Sequence, residues 1–76
     1  MNTTDHQLLQ HVGTKLKGLR EKQGLSLEEV KAVTRLPVAL LEAGKKDIPI
    51  DKLSRLCDHY RTSLTEFIKD IEKQLP

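Results

Sequence analysis

The side chains best suited to covalent or metal chemistry are one cysteine and three histidines. Cys57 and His59 are the types that a nucleophile and its general base require, but residues two apart on a helix point in different directions. Together with His6 and His11 they show no metal-ligand spacing, and no cysteine pair accompanies them. We therefore expect no enzyme activity, no catalytic residue, no metal and no cofactor.

A second group of side chains is basic and could bind an anionic partner. It consists of Arg35, Lys45 and Lys46. Residues 1–46 carry eight Lys and Arg against five Asp and Glu, whereas residues 47–76 carry five against six. The net charge of +2 is too small to indicate nucleic-acid binding by itself. Its uneven distribution nevertheless suits a chain with one basic face.

Length and composition indicate one small domain covering residues 1–76. Hydrophobic residues make up 37% of the chain and aromatic residues 3%, so the core must be aliphatic. No run approaches the roughly 18 apolar residues of a membrane span, and the N-terminus lacks the pattern of a signal peptide. The single Cys57 excludes an internal disulfide and favours a reducing compartment. We expect a cytoplasmic protein without a membrane partner.

Apolar residues recur at spacings of three and four, and no segment alternates as a strand would. The pattern predicts an all-α fold of five short helices. The first is most regular over residues 12–22, the second spans 27–34 and the third 37–43. Asp51 is the expected cap of the fourth, and the C-terminal helix covers about 63–75. Residues 1–5 are predicted to be flexible, and the expected inward residues of the second and third helices are Val30, Val33, Leu36, Leu40 and Leu41.

The second and third helices are predicted to form a tight corner. Ser26 and Glu29 have the spacing of a capping box, which begins a helix. Pro37 suits a first helical position because its missing N–H would have no partner there. Gly44 can adopt the left-handed conformation that ends helices. Two helices joined this closely form a helix-turn-helix.

Four stretches around this corner resemble one known family in their order and separation. They read VGTKLKGLREKQGLS from Val12, LPVALL from Leu36, EAGKKDIPIDKL from Glu42 and DHYRTSLTEFI from Asp58. Together they resemble the lambda-repressor-like (Cro/repressor-type, Xre) helix-turn-helix family over residues 12–68. Between Val30 and Glu42 the chain is about one helical turn shorter than the usual family pattern.

This resemblance implies a sequence-specific DNA-binding transcriptional regulator of the repressor type, with double-stranded DNA as its partner. Its third helix would enter the major groove, where Val38 and Ala39 contact thymine methyl groups. Arg35 would bind a guanine or a phosphate, and Lys45 and Lys46 would bind phosphates. The other residues of the predicted DNA-binding set are the Ser26 and Leu27 amides, Thr34, Pro37 and Glu42.

A different function follows from a second resemblance. The segment SLEEVKAVTRLPVALLEAG is also similar to the cytoplasmic helix-turn-helix domain of the cell-shape protein RodZ, which binds a cytoskeletal protein. Residues 37–41 offer no side-chain hydrogen-bond donor or acceptor, whereas base edges are normally contacted by polar side chains. The alternative is therefore a protein-interaction module that keeps the fold without binding DNA.

The C-terminal helix has more apolar positions than closing a small core requires. Phe67, Ile71 and Leu75 lie at helical spacing and predict a seam at which two copies meet, because a two-fold interface uses the same patch twice. The alternative is that Ile71 and Leu75 cover the first helix near Leu8 and Leu9. Regulators of this kind bind two half-sites one helical turn apart. We therefore expect a homodimer on a short palindromic operator.

Overall fold

The computed structural model describes residues 3–74 and confirms an all-α fold, with five helices and no strand in that range. The helices are α1 (Thr3–Lys22), α2 (Leu27–Thr34), α3 (Val38–Glu42), α4 (Ile50–His59) and α5 (Leu64–Gln74). Helix α1 packs against α3 and α5, α4 packs against α5, and α2 packs against α3.

Helix α1 is longer than the sequence pattern indicates. It begins at Thr3, so residues 3–5, for which the sequence predicts flexibility, belong to a helix. The remaining residues of that prediction, Met1 and Asn2, lie outside the described range. After Lys22 the chain turns at Gly24, and the Leu25 amide donates to the Arg20 carbonyl oxygen at 3.1 Å. This bond closes the last turn of α1 in the way of a Schellman motif.

The predicted capping box at the start of α2 is confirmed. The Glu29 amide donates to Ser26 Oγ at 3.1 Å, and the Ser26 amide donates to Glu29 Oε1 at 2.9 Å. The second of these bonds favours the carboxylate form and lowers the pKa of Glu29. Because the Ser26 amide is used inside the helix cap, it is not free for a phosphate as predicted.

Helix α2 ends at an arginine in a conformation that favours glycine. Arg35 has φ 60°, the left-handed region. The Thr34 hydroxyl donates to the Val30 carbonyl oxygen at 2.8 Å and accepts from the Leu36 amide at 3.3 Å. The Thr34 side chain thus supplies hydrogen bonds at the turn between α2 and α3.

Three predicted helix starts shift by one or two residues. Pro37 precedes α3 as its N-cap and is not the first helical residue. Helix α4 begins at Ile50 after the N-cap Pro49, so Asp51 lies in the first turn and is not the cap. Helix α5 begins at Leu64, where Ser63 Oγ accepts from the Glu66 amide at 3.0 Å. Proline fixes its own φ near the helical value, which favours both observed starts.

The core is aliphatic, as predicted, apart from two buried aromatic rings. Its members are Leu16, Val30, Leu36, Val38, Leu41, Leu53, Leu56, Cys57, Tyr60, Phe67 and Ile71. Two predicted inward residues are instead exposed, Val33 by 65% and Leu40 by 47%. Because α3 begins at Val38, its inward positions are Val38 and Leu41, three residues apart, and Leu40 is turned outward.

Helices α1 and α3 approach each other closely at Gly13. A Cβ atom at this position would lie 2.5 Å from the carbonyl oxygens of both Leu41 and Glu42. The two helix backbones can reach this separation only because Gly13 has no side chain. Gly18, in the same helix, has nothing within 4 Å of the equivalent point.

We therefore expect opposite effects from the same substitution at these two glycines. Gly18→Ala should raise the free energy of unfolding by about 1 kcal/mol, because alanine has the higher helix propensity. Gly13→Ala should lower it by about 1–3 kcal/mol, because α3 must move away from α1. Urea denaturation of both variants measures these changes. A Gly13→Ala variant as stable as Gly18→Ala would contradict the close approach.

Candidate nucleic-acid interface

The position of α3 is fixed by an ion pair to the end of α1. Arg20 Nε donates to Glu42 Oε2 at 2.7 Å, and Arg20 Nη2 donates to Glu42 Oε1 at 3.1 Å. A third donor, Arg20 Nη1, binds the Leu25 carbonyl oxygen at 2.8 Å. The two side chains are only 11% and 7% exposed. One guanidinium therefore joins α1, the loop before α2, and α3.

This pair corrects the prediction that Glu42 lies at the DNA surface, because its carboxylate is turned inward onto Arg20. Arg20 itself is buried. A signal was present in the sequence, because Arg20 lies four residues after Leu16 and so continues the apolar stripe. Such a position for an arginine indicates a partner, which the sequence does not identify.

The charges of the pair lie close to the phenol of Tyr60. This side chain is 1% exposed. Burial, together with the negative charge of Glu42 and against the opposing charge of Arg20, raises the pKa of Tyr60 to about 12. The phenol therefore stays neutral at physiological pH and belongs to the core.

Two more residues of the predicted DNA-binding set lie in the interior. Val38 is 2% exposed, so its methyl groups do not reach a base edge. Thr34 is 5% exposed, and its hydroxyl is bound to the backbone on both sides of the turn. Both residues position α3 and neither presents a contact surface.

The remaining predicted residues lie on the surface around the corner. Ala39, Lys45 and Lys46 are exposed, and Leu27 is partly so. Arg35, Pro37 and Lys46 line a shallow groove that runs from the outer side of α2 across the turn to the start of α4. We call it the corner groove, and its lining is Glu28, Lys31, Ala32, Arg35, Leu36, Pro37, Leu41, Lys46, Asp47, Ile48, Pro49 and Lys52.

The corner groove has more positive than negative charge. Four cations, Lys31, Arg35, Lys46 and Lys52, lie along it with two carboxylates. Lys31 and Lys52 were not predicted. Lys31 has a recognisable signal, since it precedes Arg35 by four residues and so shares its side of the helix. Lys52 has no such signal in the sequence, because its position in the groove depends on how α4 packs against the rest of the chain.

None of these groove cations is held in an ion pair with another described residue. Among the side chains that the structure describes, those of residues 7–74, the ion pairs are Arg20–Glu42 and Lys15–Asp70, the latter joining α1 to α5 at 2.7 Å. Lys45, next to the groove in the chain, is likewise exposed. The α2–α3 corner therefore offers cations to an anionic partner without first breaking an ion pair between these residues.

The structure places two of the predicted dimer residues in the core. Phe67 is fully buried and Ile71 nearly so, within a single chain. Neither is therefore available for the predicted seam, and Leu75 lies outside the described residues. The apolar spacing of α5 is explained by packing against α1 and α4.

The residues considered for covalent or metal chemistry are not assembled into a site where the structure describes their side chains, which excludes His6. Cys57 is buried, and burial raises the pKa of its thiol to about 11. Across the described side chains of residues 7–74, no three His, Cys, Asp or Glu converge as metal ligands would. Within the same range, no helix has the length and apolarity needed to cross a membrane.

Comparison with known proteins adds no assignment. Neither the family models, nor the curated proteins, nor the solved structures give a match to this sequence. The features that bear on function are therefore the corner groove and the exposed side of α3.

The ion pair leads to a test of how α3 is held. Glu42→Ala leaves Arg20 nearly buried without its partner, so we expect the free energy of unfolding to fall by roughly 2–4 kcal/mol. Asp70→Ala breaks the solvent-exposed pair with Lys15 and should lower the free energy of unfolding by much less. Urea denaturation compares the two variants. Equal losses would show that the Arg20–Glu42 pair does not fix α3.

Proposed function

We propose that this protein is a DNA-binding regulator whose α2–α3 corner acts as a helix-turn-helix of the lambda-repressor-like type. The observation that carries the proposal is the cluster of exposed, unpaired cations around that corner. Lysine and arginine side chains of this kind bind phosphates and orient a protein on the duplex. In this arrangement α3 faces the major groove and the corner groove contacts one backbone strand.

The electrostatics of α3 support this arrangement. Its only carboxylate, Glu42, is held inward by Arg20, so no acidic side chain of α3 faces a duplex. Arg35 lies before the helix, and Lys45 and Lys46 lie after it. A phosphate backbone approaching α3 thus meets the cations of the corner groove and no carboxylate of α3.

A second candidate is a protein-interaction module, and one observation favours it. Leu40 is 47% exposed on α3, where a DNA-binding helix normally has polar side chains. An exposed leucine bordered by cations also suits an acidic, apolar protein segment. Salt dependence separates the candidates, because DNA binding that uses several phosphates weakens steeply between about 50 and 200 mM salt. Failure to retard any duplex at 50 mM salt would favour the protein partner.

The oligomeric state on DNA stays a prediction. A homodimer on a palindrome requires two copies whose α3 helices are about 34 Å apart. Phe67 and Ile71 do not supply that contact, because they are buried in the single chain. The mass of the complex, measured by analytical ultracentrifugation on a selected duplex, gives the number of copies bound.

Arg35 allows binding to be separated from stability. Arg35→Gly removes a cation and also removes the cost of holding a side chain in the left-handed region. We expect the free energy of unfolding to rise by up to about 1 kcal/mol, while DNA affinity falls about tenfold. The slope of log K against log salt should fall by about one if Arg35 binds a phosphate.

Arg61→Gly is the matched control for this variant. Arg61 has the same φ of 60° but lies in the turn between α4 and α5, away from the corner groove. Its replacement should change stability in the same direction and leave DNA affinity unchanged. Fluorescence anisotropy with a labelled duplex measures both affinities. If both variants bind as tightly as the parent chain, Arg35 has no role in binding.

A further inference from the structure

Helix α3 presents a surface that consists only of methyl and methylene groups. Its exposed residues are Ala39, Leu40 and Ala43, which lie on one side of the helix at spacings of one, three and four. We call this surface the outer face of α3. The other side is buried through Val38 and Leu41, and Glu42 is bound to Arg20. The outer face can therefore make apolar contacts but no side-chain hydrogen bond.

The charges around the outer face limit what can cover it. Arg35 and Lys46 both line the corner groove, and the Lys45 amide donates to the Leu40 carbonyl oxygen at 3.0 Å, which places Lys45 next to the outer face. None of the three has an ion-pair partner among the described residues. A short apolar strip with cations close to it complements a ligand with a small apolar group beside anionic edges. The major groove of DNA has this form, since phosphates border it and the C5-methyl group of thymine is its apolar feature.

We infer that the outer face of α3 recognises C5-methyl groups of pyrimidines in the major groove. This inference rests on the proposed DNA-binding function and names what the corner recognises there. Leu40 and Ala39 contact the methyl group, and the flanking cations hold the backbone. Two bases carry this group, thymine and 5-methylcytosine, and the contact is the same for both.

The length of α3 sets the extent of this recognition. Five helical residues span about 7.5 Å, and base pairs are stacked about 3.4 Å apart. The outer face therefore covers about two adjacent base pairs. We expect dependence on methyl groups at one or two neighbouring positions in each half-site, and little discrimination elsewhere.

The test begins with selection of binding duplexes from a random pool at low salt, using the full chain. In the enriched duplex, each thymine is replaced singly by uracil, which lacks only the methyl group. In a second arm, each cytosine is replaced by 5-methylcytosine. Affinity is measured by anisotropy. We expect at least one uracil replacement to weaken binding about three- to fivefold, or one 5-methylcytosine to strengthen it similarly.

Leu40→Ala assigns the effect to the outer face. Because Leu40 is half exposed, its truncation should leave the fold intact, which urea denaturation checks. This variant should bind uracil and thymine duplexes with nearly equal affinity. The matched control is Ile68→Ala, another exposed apolar residue, on α5. The Ile68→Ala variant should keep the preference of the parent chain for duplexes that carry the methyl group.

The possible results separate this inference from the function on which it rests. Retardation of duplexes with no methyl dependence in either arm keeps the DNA-binding function and overturns the methyl contact. No retardation of any duplex overturns both. A methyl preference that Leu40→Ala leaves unchanged also overturns the assignment to α3. A dimer in the absence of DNA that Leu40→Ala dissociates shows that a second copy covers the outer face, which overturns the inference as well.

Discussion

The ion pair between Arg20 and Glu42 holds the corner of this molecule in place. Helix α3 has five residues and is too short to be stable by itself in water, because helix nucleation is costly. Its orientation therefore depends on contacts with α1. Gly13 lets the two backbones approach, and Arg20 holds the far end of α3 through Glu42. Since both charged groups are nearly buried, neither tolerates the loss of the other.

The same ion pair also determines the electrostatics of the exposed surface. A carboxylate pointing outward from α3 would repel phosphates next to Arg35 and Lys46. Binding to Arg20 removes it from that surface and leaves cations around an apolar strip. One contact thus determines both the position of α3 and its surface charge. The helix is held in place, and its carboxylate is not exposed.

Much of the local structure could be predicted from the sequence. The capping box of Ser26 and Glu29, the helix end at Gly44, and the apolar stripe of α5 all depend on residues within a few positions of each other. The rotation of α3 could not be predicted in this way. Its start after Pro37 turns Val38 inward and Leu40 outward, which reverses the expected roles of these two side chains. A shift of one residue turns a side chain by about 100°, enough to exchange buried and exposed positions.

The sequence by itself determined the all-α class, the five helices and the tight corner, because caps, turns and helical periodicity act over four or five residues. Only the tertiary structure decided which charges are buried and which are presented. Arg20 and Glu42 are 22 residues apart in the chain, and Lys31 and Lys52 line the same groove although they belong to different helices. Such pairings depend on which helix packs opposite, and local physical chemistry does not specify that.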